Sequence, residues 1–263
     1  MEKNILVEYT DKIAIIYFNR PDLYNAFNYD LFVDLGNELT LLSKRNDLIG
    51  IILTGKGKAF SGGGDLKSVA SFPDGISSAF YRLVPQLNRC VIEIMSMSIP
   101  VVAAINGIAA GGGFSICLTC DFRFMAKSAK LKQAYTSSGL SIDGAGTLTL
   151  PRLVGYSKAL EIATFDDIIT SEQAINWGLV TKVVDDNNLI SESVDFIKKI
   201  ALKSLNSFAW SKKLFQMSYA NNLERQLELE REGIVSCSYH PDGQEGIRAF
   251  LEKRSPIFNK VEK

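Results

Sequence analysis

The fold is indicated by two glycine-rich stretches, Phe60-Ser61-Gly62-Gly63-Gly64-Asp65-Leu66 and Gly111-Gly112-Gly113-Phe114. Each follows an apolar run typical of a buried strand and leads toward a helical pattern. Glycine lets a backbone approach a ligand closely, and a loop that opens a helix exposes unpaired N–H groups. Either stretch alone would be interpreted as a tight turn, but two together could direct N–H donors at one oxygen and stabilise negative charge there. Neither has the spacing of a phosphate loop or a dinucleotide fingerprint.

Strand and helix patterns alternate around these stretches. Apolar runs predict strands over residues 13–18, 48–53, 101–105, 122–125 and 180–184, and helical spacing predicts helices over 29–44 and 78–97. From residue 187 onward the chain is predicted to be almost entirely helical. We therefore expect an α/β core over residues 1–190 and a helical C-terminal region over 191–263. This tail either covers its own core or forms an oligomer contact, and the sequence leaves both open.

The composition excludes several classes of function. The chain has a single histidine, His240, so multi-histidine metal sites are excluded and a histidine-based hydrolase could use only that residue. His240 precedes a proline in the tail, where a capping or surface role is expected. Lys plus Arg and Asp plus Glu both number 29, which argues against nucleic acid as a partner.

Cysteine usage and hydropathy favour a protein of the cytoplasm. Cys117 and Cys120 lie in an apolar run and are predicted to be packing residues of a buried helix, rather than a redox or zinc pair. No window approaches the ~18 apolar residues of a membrane span, and the N-terminus lacks a signal pattern. We expect neither a membrane contact nor a metal.

Further motifs accompany the glycine stretches in order along the chain. They are Asn19-Arg20-Pro21 with Asn25-Ala26, Pro100-Val101-Val102-Ala103-Ala104-Ile105-Asn106-Gly107, Asp121, Pro151-Arg152-Leu153-Val154-Gly155, Trp177-Gly178-Leu179-Val180 and Glu245-Gly246-Ile247-Arg248-Ala249-Phe250-Leu251-Glu252-Lys253-Arg254. Together they resemble the crotonase (enoyl-CoA hydratase/isomerase) superfamily over nearly the whole chain. The resemblance implies an α/β spiral of ββα units, with a helical C-terminal region that forms homotrimers or dimers of trimers. It also implies an acyl-CoA thioester substrate and no separate cofactor, since coenzyme A is part of the substrate.

The resemblance assigns the binding residues by motif position. It implies that the backbone N–H groups of Gly64 and Gly112 hold the thioester oxygen and stabilise an enolate. Coenzyme A would lie along Gly64, Asp65, Leu66 and Lys67, with Ala26 near the adenine. The C-terminal residues Phe250 and Lys253 would help close the site, from the same or a neighbouring subunit.

Both glutamates of the family's hydratases are absent, because their positions hold Ser115 and Tyr135. The resemblance instead points to Asp143, at a position where several isomerases and a dehalogenase carry a catalytic aspartate. From the residues alone, Asp143 before Gly-Ala-Gly-Thr is also typical of a helix N-cap. Tyr135 is expected to fill space, or else to donate a hydrogen bond to substrate. Ser115 lies either at the site or in the helix as a satisfied serine.

The sequence therefore predicts an acyl-CoA isomerase that shifts a C=C double bond through a (di)enolate, with Asp143 as acid and base. The C-terminal stretch is most similar to phenylacetate-type epoxyphenylacetyl-CoA isomerases. Hydration, decarboxylation or dehalogenation through the same enolate, and a catalytically silent acyl-CoA-binding protein, remain alternatives. Phe72, Phe80 and Tyr81 would suit an aromatic, cyclic or medium-chain acyl group, although they are equally typical of a core.

Overall fold

Residues 3–259 are described by a computed structural model, in which ten strands form two sheets. The strands are β1 (Ile5–Thr10), β2 (Ile13–Phe18), β3 (Gly50–Gly55), β4 (Ala59–Ser61), β5 (Val101–Ile105), β6 (Ile108–Ala110), β7 (Phe122–Ala126), β8 (Lys130–Lys132), β9 (Ile169–Thr170) and β10 (Lys182–Val184). The larger sheet has the order β1-β2-β3-β5-β7-β10, and the smaller has the order β4-β6-β8-β9. The β1–β2 and β8–β9 pairs are antiparallel, and the other pairs are parallel.

Helices alternate with the strands up to β10, and the described residues after β10 are mainly helical. The helices are α1 (Tyr29–Leu42), α2 (Leu66–Ala70), α3 (Ile76–Ser96), α4 (Gly112–Thr119), α5 (Gly146–Val154), α6 (Tyr156–Phe165), α7 (Ser171–Asn176), α8 (Leu189–Ala201), α9 (Leu205–Ser218), α10 (Leu223–Tyr239) and α11 (Pro241–Leu251). Capping side chains and proline mark the start of several of these helices. For example, the Asn28 side chain caps α1 by accepting the Leu31 N–H, and Pro241 opens α11.

Three successive strand pairs share one arrangement, namely β3–β4, β5–β6 and β7–β8. The first strand of each pair joins the large sheet and the second joins the small sheet, and helices follow. This arrangement agrees with the expected spiral of ββα units. Both β3 and β5 are buried along their whole length, which explains their continuous apolar runs.

The C-terminal region is helical, as predicted. Its first helix, α8, packs on the large sheet through Ile197, and a methyl group on Gly50 would lie only 2.5 Å from the Ile197 side chain. The helix α9 is attached through Lys212, whose ammonium lies 2.9 Å from the Asp121 carboxylate. The division at residue 190 and the trimer contact stay predictions. Across residues 3–259, no helix combines the length and hydropathy that a membrane crossing requires.

Two minor predictions are confirmed. Cys117 and Cys120 are buried in and just after α4, and burial raises the pKa of the Cys120 thiol to about 12, which suits packing residues. His240 caps α11, because its Nδ1 accepts the Asp242 N–H at 3.2 Å.

Candidate active site

The two glycine stretches lie side by side. A methyl group on Gly63 would lie 2.8 Å from the Ala110 carbonyl oxygen, and one on Gly111 would lie 3.7 Å from the Gly63 Cα. Both glycines have positive φ, 93° and 52° respectively. The close approach requires glycine at position 63, and the positive φ favours glycine at both positions.

Phe27 connects the two predicted N–H donors. Its N–H donates to the Gly63 carbonyl at 2.7 Å and its carbonyl accepts the Asp65 N–H at 2.8 Å, which fixes the backbone on both sides of Gly64. Within the described residues, no hydrogen bond uses the Gly64 N–H, and Gly64 is exposed. Gly112 is the first residue of α4, so its N–H has no intrahelical acceptor. A methyl group on Gly112 would lie 3.5 Å from the Phe27 ring.

Arg20 ties together the two segments predicted to bind coenzyme A. Its guanidinium lies 2.9 Å from the Asp65 carboxylate and also donates to the Ala26 carbonyl. The other Asp65 oxygen accepts the Ser68 N–H at 3.1 Å and caps α2. Leu66 and Lys67, also predicted to bind, are exposed in the first turn of that helix. The sequence contains Arg20 in a motif but gives no signal of this contact.

Tyr135, Asp143 and Ser115 converge beside Gly112. The Tyr135 hydroxyl donates to the Asp143 carboxylate, and its oxygen lies 3.4 Å from the Ser115 Oγ. A methyl group on Gly112 would lie 3.9 Å from that hydroxyl. Tyr135 therefore contacts Asp143 rather than only filling space.

The N-cap alternative for Asp143 is wrong. The helix α5 begins at Gly146 and its N-cap is Ala145, whose φ is 61°. Gly144 and Ala145 both adopt left-handed backbone, so the turn separates Asp143 from the helix start. The carboxylate is consequently directed to Tyr135 instead of to the N–H groups of α5.

Burial raises the pKa of Asp143, while the hydrogen bond from Tyr135 acts in the opposite direction. Burial and the adjacent Asp143 also raise the pKa of Tyr135, so its hydroxyl keeps its proton. Within residues 3–259, no cationic side chain pairs with Asp143. The site therefore holds a carboxylate that can take up a proton more readily than an exposed aspartate.

The two positions where the resemblance expects glutamates hold no carboxylate. Ser115 is fully buried, and methyl groups on Gly144 and Gly146 would lie 3.0 Å from its Cβ and 2.9 Å from its Oγ, respectively. Ser115 therefore lies close against the turn before α5. No group of three or more His, Cys, Asp or Glu within the described range could hold a metal.

The C-terminal residues Phe250 and Lys253 lie at the end of α11 and just beyond it. The Phe250 side chain is 81% exposed. Their role in closing the site stays a prediction. Among the acyl-pocket candidates, Phe72 and Phe80 pack partly buried against the core, whereas Tyr81 is exposed.

Comparison with known proteins identifies the family of this chain. Residues 8–261 match the family model described as Enoyl-CoA hydratase/isomerase. The chain belongs to the enoyl-CoA hydratase/isomerase family. It is 33% identical to a crotonyl-CoA hydratase of Syntrophomonas wolfei, with 97% of this chain and 98% of that protein covered. It is 31% identical to the 1,2-epoxyphenylacetyl-CoA isomerase of Escherichia coli K12, with 98% and 99% covered.

The fold agrees with this family. A crystal structure of an enoyl-CoA hydratase from Polaromonas sp. JS666 superposes with a TM-score of 0.91 at 29% identity, covering 97% of this chain and 99% of that one. The chain is therefore an enzyme of the enoyl-CoA hydratase/isomerase family with the crotonase fold. The names of its relatives include both hydratase and isomerase.

Proposed function

We propose that this enzyme is an acyl-CoA isomerase that moves a C=C double bond, with Asp143 as the group that carries the proton. The observation that supports this most directly is the position of the Asp143 carboxylate. It is partly buried, lacks a cationic partner in the described part of the chain, and is held by Tyr135 beside Gly112. Burial that raises the pKa of a carboxylate is what a general base needs near neutral pH.

The reaction balances without a further reactant. The Asp143 carboxylate takes a proton from the carbon α or γ to the thioester. The electron pair of that C–H bond moves into the conjugated system and onto the thioester oxygen, which the Gly64 and Gly112 N–H groups stabilise. The Asp143 carboxylic acid then returns the proton to a different carbon, and the double bond has moved.

The chemistry at positions 115 and 135 favours isomerisation over hydration. The resemblance implies that syn-hydration uses two carboxylates to position water and shuttle protons. Here those positions hold Ser115 and Tyr135, and the turn at residues 144–146 occupies the space around Ser115. A single carboxylate is sufficient for a proton shift along one substrate, because the same group removes and returns the proton.

The remaining contacts to substrate follow the motif positions. In this proposal coenzyme A lies along Ala26 and the segment Gly64, Asp65, Leu66 and Lys67, and no separate cofactor is used. Phe250 and Lys253 close the site in a homotrimer or a dimer of trimers. Light scattering or sedimentation of the purified protein would test that assembly.

Deuterium exchange tests the proposal before the true substrate is known. The protein is incubated in heavy water with 2-enoyl, 3-enoyl and dienoyl-CoA esters, and label incorporation and double-bond position are measured. We expect Asp143→Asn to retain coenzyme A ester binding and to lose about 10²–10⁴-fold in exchange and turnover. Asp195→Asn, which changes an exposed aspartate of α8, is the control and should match the wild type.

Each outcome of this experiment separates the alternatives. Full activity in Asp143→Asn would refute the proposal. Binding of the esters with no exchange in the wild type would show a silent acyl-CoA-binding protein. Conversion of 2-enoyl esters to 3-hydroxyacyl esters without double-bond migration would show a hydratase.

A further inference from the structure

The end of α6 is occupied by an aspartate in an unusual backbone conformation. Asp166, the C-cap of this helix, has a φ of 55°, in the left-handed region that favours glycine. It is only 5% exposed, although its neighbours Phe165 and Asp167 are exposed. A strained residue of this kind persists only where its surroundings hold it in place, and such residues cluster at functional sites.

The Asp166 carboxylate accepts three hydrogen bonds from one turn. One oxygen accepts the Ala134 N–H, and the other accepts the Ser137 N–H at 3.1 Å and the Ser137 hydroxyl. Burial acts to raise the pKa of Asp166, but these hydrogen bonds outweigh it and hold the pKa below its usual range. The ionised carboxylate therefore fixes residues 134–137, the turn that carries Tyr135.

Ala134 has the conformation that this contact requires. Its φ is 59°, and its N–H donates to Asp166. The resemblance to the family expects proline here, in a Gln-Pro-Glu segment. Proline has a fixed negative φ and no N–H, so it could adopt neither this conformation nor this hydrogen bond. The replacement of proline by Ala134 and the carboxylate at Asp166 therefore act together to set the path of the chain into Tyr135.

We propose that Asp166 is a positioning residue of the active site, which holds the turn 134–137 so that the Tyr135 hydroxyl stays on the Asp143 carboxylate. Asp166 itself touches no reacting atom. The inference rests on the proposed function, because it concerns the orientation of the group that carries the proton. Misplacement of a reacting group by about 1 Å can cost 10²-fold in rate, so a rigid turn at this point matters for kcat.

Two variants of Asp166 test this inference. Asp166→Gly removes the carboxylate but adopts the left-handed conformation without strain, and Asp166→Asn keeps one acceptor oxygen. We expect both variants to fold, to bind the acyl-CoA ester with nearly unchanged KM, and to lose about 10- to 100-fold in kcat. Tyr135→Phe should give a similar loss. The kcat of the double variant Tyr135→Phe/Asp166→Gly should be no lower than that of the less active single variant, because both changes break the same hydrogen bond.

The chain supplies a matched control. Asp186 accepts the Ser128 N–H at 3.1 Å and the Ser128 hydroxyl, in a turn at the opposite end of β8. Asp186→Asn makes the same substitution at an exposed aspartate that holds a turn away from Tyr135, and it should leave kcat unchanged. Thermal unfolding of each variant shows whether the loss in kcat accompanies a loss of fold.

The outcomes distinguish this inference from the proposed function. Three results would overturn the role of Asp166. They are a wild-type kcat in both Asp166 variants, a loss in Asp186→Asn as large as in those variants, and additive losses in the double variant. If Asp143→Asn is inactive at the same time, the proposed function stands. If Asp143→Asn is fully active, the proposed function fails whatever the Asp166 variants show.

Discussion

Asp121 and Asp143 are both aspartates partly withdrawn from water, but their partners differ. The Asp121 carboxylate lies 2.9 Å from the Lys212 ammonium and accepts the Val101 N–H at 2.9 Å. The Asp143 carboxylate has the Tyr135 hydroxyl and no cation within the described range. Burial raises the pKa of both. A full positive charge compensates the first carboxylate and makes it a structural link, whereas a neutral hydroxyl leaves the second free to exchange a proton.

We expect the largest effect when the ion pair between Asp121 and Lys212 is broken. Lys212 is buried and also donates to the Ile94 carbonyl at 3.1 Å, so it joins α9 to the end of α3. Lys212→Met leaves Asp121 buried without a cation, and we expect a loss of about 3–5 kcal/mol in the free energy of unfolding. Urea denaturation measures this loss.

The adjacent Lys213 is exposed, so Lys213→Met serves as the control and should change stability little. The double variant Asp121→Asn/Lys212→Met should be more stable than Lys212→Met alone, because no unpaired charge stays buried. A loss in Lys212→Met no greater than in Lys213→Met would contradict the comparison.

An intermediate effect is expected on the pH dependence of activity. Asp143 must be ionised to remove a proton, so its pKa sets the acid limb of kcat/KM. Burial places this pKa above the usual range, and the Tyr135 hydrogen bond lowers it. Tyr135→Phe removes the hydrogen bond, so the limb should move to higher pH. The groups facing this carboxylate are Tyr135 and, behind it, the Ser115 hydroxyl. An unmoved limb would show that the hydroxyl does not influence Asp143.

The smallest effect is expected on stability when Asp143 is neutralised. A carboxyl group whose pKa is raised in the folded state destabilises the fold above that pKa, and this penalty disappears as the pH falls below the unfolded-state pKa. Asp143→Asn should therefore raise the midpoint of thermal unfolding near neutral pH, and the gain should shrink in acid. The pKa of Asp121 is raised as well, but Asp121→Asn also leaves the buried Lys212 ammonium without its counter-charge, and we expect this cost to exceed the gain and to lower the midpoint. Equal changes in the two variants would remove the distinction between the sites.

Much of the fold is predictable because buried parallel strands produce unbroken apolar runs. The strands β2 and β5 match the predicted ranges 13–18 and 101–105. Prediction is weaker where the pattern is short or mixed. The strands β4, β6, β8 and β9 span two or three residues, too few for any periodicity, and β1 is an edge strand in which only Ile5 is buried. The helix α3 begins at Ile76, two residues before its predicted start, because Gly75 has a φ of 86°.

The candidate site also has a part that the sequence predicts and a part that it does not. The positions of Gly64 and Gly112 are predictable, because their glycine motifs directly follow β4 and β6. The contact of Tyr135 with Asp143 cannot be predicted in this way, because the seven residues between them form one short 3-10 turn (Thr136–Ser138), a left-handed Gly139 and an irregular loop. No helical or strand spacing encodes such a path. Asp166 offers one usable signal, an aspartate directly after a helical segment, where a left-handed C-cap is common.

The capping position of His240 makes kinetic data on this enzyme easy to interpret. Imidazole is the side chain whose ordinary pKa, ~6.5, most often accounts for a limb of a pH–rate curve near neutrality. The chain has no other histidine, and this one is engaged at the start of α11. The candidate site contains no histidine, so Asp143 is the first group to test for a limb in that range. The lone imidazole signal in a proton spectrum, in turn, reports on the start of α11.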